Sequence, residues 1–204
     1  MQQLGYDVAW EYRGAHNTYF DDYNTPEHFR QIENFRAVVA PYVGENEADE
    51  LVMILEDLNP GLFNALGAAT DALGRARTQE HVAQVALSGR RYLEQLADVL
   101  FPAQDKEHNG RKVGKAEYKN RIWAFIADNA TSDDTLDNLG RATDKLTEEF
   151  NACLHEEQPQ DRVLRALVNA AELTAALLAL NPAETRKPYF AFRKTMLKFF
   201  KKRD

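Results

Sequence analysis

Cys153 and His155 stand two residues apart, a thiol beside a base, a pairing that can make an activated nucleophile when the two side chains meet. Residues two apart on a helix face different directions, and a cysteine on the stripe of Phe150 is a small core residue, so no thiol chemistry is expected. His155-Glu156-Glu157 and His28 beside Glu27 put imidazole next to carboxylate. They lack the His-Glu-x-x-His, recurring Glu-x-x-His or Asp-rich loop spacing that turns several ligands toward one ion, so no metal is expected. There is no glycine-rich phosphate loop, and no cofactor is expected. A Ser-His-Asp set is assembled by the fold, and nothing in the chain points to one. Cationic chemistry is better represented. Between Lys106 and Arg121 there are six Lys/Arg against two Glu, and Lys112, Lys115, Lys119 and Arg121 are candidates for contact with phosphates.

The elements that must position these groups are helices. Thr25-Pro26 reads as a cap followed by Phe29, Ile32, Phe35 and Val39 at three- and four-residue steps, ending at Pro41. A second helix is expected over Glu47 to Leu58, closed by Asn59-Pro60-Gly61, and a third from Leu62 to Gly74. Thr78 caps a long helix running to Leu100, whose middle Ser88-Gly89 is expected to loosen. Residues 103–115 have two glycines and no apolar period, which reads as an exposed loop before a helix with Tyr118, Ile122, Phe125 and Ile126 inward. Thr131-Ser132-Asp133-Asp134 caps a helix reaching His155, and Pro159 opens another that stops at Asn181-Pro182. After Pro188, Phe192, Met196, Phe199 and Phe200 recur at helical spacing in a basic segment expected to dock on the body. The fold class is therefore all-α, a bundle of about eight helices. It divides into an acidic helical segment 1–60, a bundle 61–182 and a basic aromatic C-terminal helix 183–204.

Net charge is −7, and it is unevenly placed. Residues 1–60 carry twelve Asp/Glu against three Lys/Arg, while 186–203 carry eight Lys/Arg and no acid. Such asymmetry suits a solvated face or a charged partner. One cysteine in 204 residues leaves no intramolecular disulfide framework, which fits the reducing cytoplasm. The N-terminus has no signal-peptide pattern and no run of 18 uncharged apolar residues occurs, so neither secretion nor a membrane span is expected.

Two stretches taken together, Ser88-Gly89-Arg90-Arg91-Tyr92-Leu93-Glu94-Gln95-Leu96 and Phe150-Asn151-Ala152-Cys153-Leu154-His155, resemble the HEPN superfamily of bacterial helical proteins over about residues 62–182. In that family an early Arg-x-x-Leu-Glu helix packs beside a later helix carrying Arg-polar-x-x-x-His. Asn151 and His155 match the polar and His positions. The resemblance extends to Tyr118-x-Asn120-Arg121 and to families found in bacterial defence islands. It implies metal-independent RNA cleavage at a dimer interface, with His and Arg activating the 2′-hydroxyl and stabilising the phosphorane. Here the family's arginine position is Phe150, so a cation such as Arg90, Arg91 or Arg121 would have to reach His155.

Whether the chain is an enzyme stays open at this point. The first expectation is a degenerate, non-catalytic HEPN-like interaction protein with a protein partner or a homodimer, part of a toxin–antitoxin or phage-defence system. The alternative is an endoribonuclease or RNA-binding effector using His155, Asn151, Arg90 and Arg91, with the lysines and Arg121 holding RNA. A third reading, ranked last, makes 188–204 a peripheral membrane or nucleic-acid anchor.

Overall fold

The computed structural model describes residues 26–155 and 158–185, which form eight helices. Helix α1 (Pro26–Val43) turns His28, Ile32, Phe35 and Val39 inward, the stripe expected of a helix with one buried face. It does not stop at Pro41. A proline near the last turn removes one N–H without ending the helix, and α1 runs on to Gly44, whose N–H bonds to Ala40 O at 2.9 Å and whose φ of 104° requires glycine. Helix α2 (Glu45–Leu58) therefore begins two residues earlier than expected. Asn59 ends it in extended conformation, and its Oδ1 accepts from Gly61 N at 2.9 Å, so one residue closes α2 and caps α3 (Pro60–Arg75).

Thr78 caps α4 (Gln79–Leu100) by accepting from the His81 N–H at 3.4 Å. The helix is unbroken through Ser88-Gly89, which corrects the expected loosening. Helices α5 (Tyr118–Asn129), α6 (Asp133–His155), α7 (Gln160–Leu180) and the single turn α8 (Pro182–Thr185) complete the bundle. Ser132 Oγ accepts from Thr135 N at 3.2 Å at the start of α6, where the cap cluster was expected.

Two helices organise the packing. Helix α4 lies against α3, α5, α6 and α7, and α7 touches α1, α3, α4, α5 and α6. The alanines Ala166, Ala170 and Ala171 are buried on α7, and their small side chains let neighbours approach from several sides. Across that centre the Tyr92 hydroxyl meets Thr174 Oγ1 at 2.7 Å. Residues of α1 and α2, including Phe35, Val39, Leu51 and Leu55, join the same apolar cluster as Leu93, Phe150 and Leu167. The described part of the acidic segment thus shares the core of the bundle.

Helix α7 is long and apolar enough to cross a membrane by length and composition, and 56% of that stretch is buried inside the bundle. Its hydrophobicity is accounted for by core packing. The expected helix over 188–204 lies outside the described residues.

Residues 103–115 form the expected exposed loop, and its own contacts hold it in shape. His108 and Arg111 exchange backbone hydrogen bonds at 2.9 and 3.0 Å around Asn109 and Gly110, whose φ values of 48° and 74° make the turn favoured in tight hairpins. Gln104 N bonds to Val113 O at 3.0 Å, Val113 is buried, and Arg111 lies 5.0 Å above the Trp123 ring. The segment is a strap fastened to α5.

Candidate polar cleft between α4, α5 and α6

Gly89 on α4 has no side chain, and a Cβ built there would overlap the Phe150 ring. This close approach brings α4 and α6 together and leaves Phe150 fully buried. Gln158 N donates to Gln79 Oε1 at 3.1 Å just beyond α6, so the end of α6 lies beside the start of α4 and the two run antiparallel. Along such a pair, residues after Phe150 move toward the beginning of α4 and away from Arg90.

The consequence for the expected site is direct. Asn151 and Arg90 line one cleft of about 300 Å³, together with Glu117, Tyr118, Lys119, Asn120 and Thr147. His155 and Arg91 are both exposed and are not among its lining residues. Among the described residues the His155 side chain makes no hydrogen bond or ion pair. The structure brings together half of the proposed catalytic set and leaves the imidazole outside it.

The cleft is polar with its cations paired. Arg90 Nε lies 3.2 Å from Glu94 Oε1, and Lys119 Nζ lies 3.3 Å from Asp144 Oδ1. Trp123 Nε1 donates to the same Asp144 oxygen at 3.1 Å. Burial raises the Tyr118 phenol above its ordinary pKa, against the lowering effect of its hydrogen bond to Thr147 and of the nearby Arg90. Tyr118 was read as an inward core residue from its spacing. Its place beside Lys119 and Asn120 on the first turn of α5 was the signal for this cleft, and Thr147 gave none.

Arg121 requires a correction. It was expected to hold phosphate, and its side chain is instead buried, with Nη1 2.5 Å from Asp98 Oδ1 and 3.4 Å from Phe101 O, and Nη2 3.2 Å from Lys115 O. A guanidinium held this way fastens the strap to α4 and offers nothing to an external anion. Lys112 and Lys115 are exposed, their backbone carbonyls taken by Asn120 Nδ2 and Arg121. Elsewhere, Arg75 pairs with Asp71, and His81 Nδ1 accepts from Arg77 N at 3.1 Å. Among the described residues no group of three or more His, Cys, Asp or Glu is placed to hold a metal ion.

No family model, no curated protein and no solved structure matches the chain.

Proposed function

We propose that this chain is a non-catalytic helical interaction protein, a HEPN-like bundle in which the cleavage chemistry is missing. The observation that carries the reading is the burial of Phe150 against Gly89, with His155 exposed and without a cationic partner among the described residues. Metal-free phosphodiester cleavage needs a base and a cation on the same phosphate, and an aromatic ring sealed between two helices supplies neither charge nor donor. Incubating the full chain with structured and single-stranded RNA in chelator tests it. The expected result is intact RNA, the same for wild type and His155→Ala. Cleavage abolished by His155→Ala overturns the reading, because it requires that a cation reach the imidazole, for example across a dimer axis.

One set of contacts favours a second reading, an RNA-binding effector. Arg90, Lys119, Asn120 and Asn151 share a cleft, and Arg111, Lys112 and Lys115 are exposed on the strap beside it. Against it, Glu94 and Asp144 already engage the two cleft cations. RNA affinity measured against salt separates the readings. A phosphate-binding face gives a steep dependence whose slope falls by roughly 0.7 for each contacting lysine removed, whereas an interaction protein gives weak binding indifferent to Lys112→Ala and Lys115→Ala.

A further inference from the structure

A groove of about 340 Å³ runs between α6 and α7, along the stretch of α6 from Leu139 to Glu149. Its floor is Leu139, Leu146 and Leu173, and its walls are kept low by Ala142 and Ala176. Glu149 and Glu172 stand at the rim with Lys145, which leaves it net acidic. Glu149 is held there by Asn169 Nδ2 at 3.3 Å and by Lys145 at 4.0 Å. An apolar floor with acidic edges is built to receive an amphipathic, basic segment.

We propose that the chain's own C-terminal segment, 188–204, is that occupant. Reach is sufficient. Thr185 is fixed at the end of α7 by Oγ1 bonds to Leu178 O at 2.7 Å and Asn181 O at 3.0 Å, so the chain leaves the bundle beside the Ala176 end of the groove. The α7 wall from Asn169 to Ala176 is roughly 10 Å long, and 17 residues even in helical form span about 25 Å. Chemistry matches as well. Phe192, Met196, Phe199 and Phe200 fall on one stripe at helical spacing, and the segment brings six Lys/Arg against the single acid Asp204 toward Glu149 and Glu172. Residues 186–204 lie outside the described residues.

The test is cysteine accessibility in the full chain. Ala142→Cys places a thiol in the groove, while the native Cys153 is buried and reacts slowly. A docked segment shields the new thiol, and Met196→Asp with Phe199→Asp raises its maleimide labelling rate by about tenfold or more. Glu149→Lys with Glu172→Lys, which leaves the segment unaltered, raises it too. Thermal melts of each variant check that the bundle is intact. Three results overturn the proposal. One is equal labelling with and without the segment's apolar stripe. Another is protection that disappears on dilution, which assigns the groove to a second copy's segment. The third is a stripe variant that labels like its parent but no longer binds phosphatidylserine–phosphatidylcholine vesicles, which assigns the segment to lipid.

Discussion

Gly89 of α4 lies directly under the ring of Phe150 of α6, and no Cβ fits there unless that ring or one of the two helices moves. The contact sets the spacing of the helix pair that carries the polar cleft. It also gives Phe150 a structural reason to occupy a position where the HEPN resemblance expects arginine.

Intrinsic helix propensity makes Gly→Ala in mid-helix stabilising by about 1 kcal/mol. Gly89→Ala should do the opposite and destabilise by about 1–3 kcal/mol through overpacking. Phe150→Ala, which leaves a cavity, should cost about 3–5 kcal/mol. Urea unfolding of the two variants checks the signs, and a stabilised Gly89→Ala would show that α4 and α6 are not held this close.

Gly140 on α6 repeats the device against Trp123 of α5, where an added Cβ would overlap the indole. Gly140→Ala should displace the ring, break its hydrogen bond to Asp144 and shift Trp123 emission to the red. With Trp10→Phe as background the signal reports this residue alone, and an unchanged emission maximum would count against the packing described.

Thr174 Oγ1 donates its proton to Ala170 O at 2.7 Å, so the buried Tyr92 hydroxyl donates to Thr174. Burial pushes the Tyr92 phenol well above its ordinary pKa. The stabilisation is complete below the unfolded-state value near 10. Above it the unfolded chain loses a proton that the folded chain keeps, and stability falls by about 1.4 kcal/mol per pH unit until the folded phenol ionises. Tyr92→Phe should cost about 1 kcal/mol at neutral pH and should flatten the alkaline limb. Unfolding free energies measured from neutral pH to above 10 test both effects.

Arg121 is 1% exposed and its partner Asp98 is 53% exposed, and this difference predicts unequal effects of removing either one. The Arg121 Nε is buried and has no acceptor, so the guanidinium is already incompletely compensated. Asp98→Ala strands a buried cation and should cost about 3 kcal/mol or more. Arg121→Met removes the charge, keeps most of the volume and leaves a carboxylate that water can solvate, so it should cost less. Denaturation of the two variants decides the order. The reverse order would mean that Asp98 does not compensate the guanidinium.

Helix identity was legible in the sequence because caps and apolar period are local properties. Thr78, Asn59 with Pro60, and the Ser132 cluster act on backbone groups within a few residues, and the stripes of α1, α4 and α7 report which face is buried whatever it packs against. The Asn109-Gly110 turn was equally local. The exposure of the strap was legible from its lack of an apolar period, whereas its fastening through buried Val113 and through Arg111 on Trp123 was not. The site could not be read in the same way. Arg121 and Lys119 are two residues apart on α5, and only the position of Asp98 on a neighbouring helix decides that the first is internal and the second lines a cleft. Asn151 and His155 are one turn apart on α6, yet the antiparallel course of α4 gives Arg90 to Asn151 and leaves His155 outside. Sequence by itself determined where the helices are, because hydrogen bonds within a helix join near neighbours. Tertiary structure alone decided which side chains meet across helices, because that depends on interhelical distance and register, set here by the contact of Gly89 with Phe150.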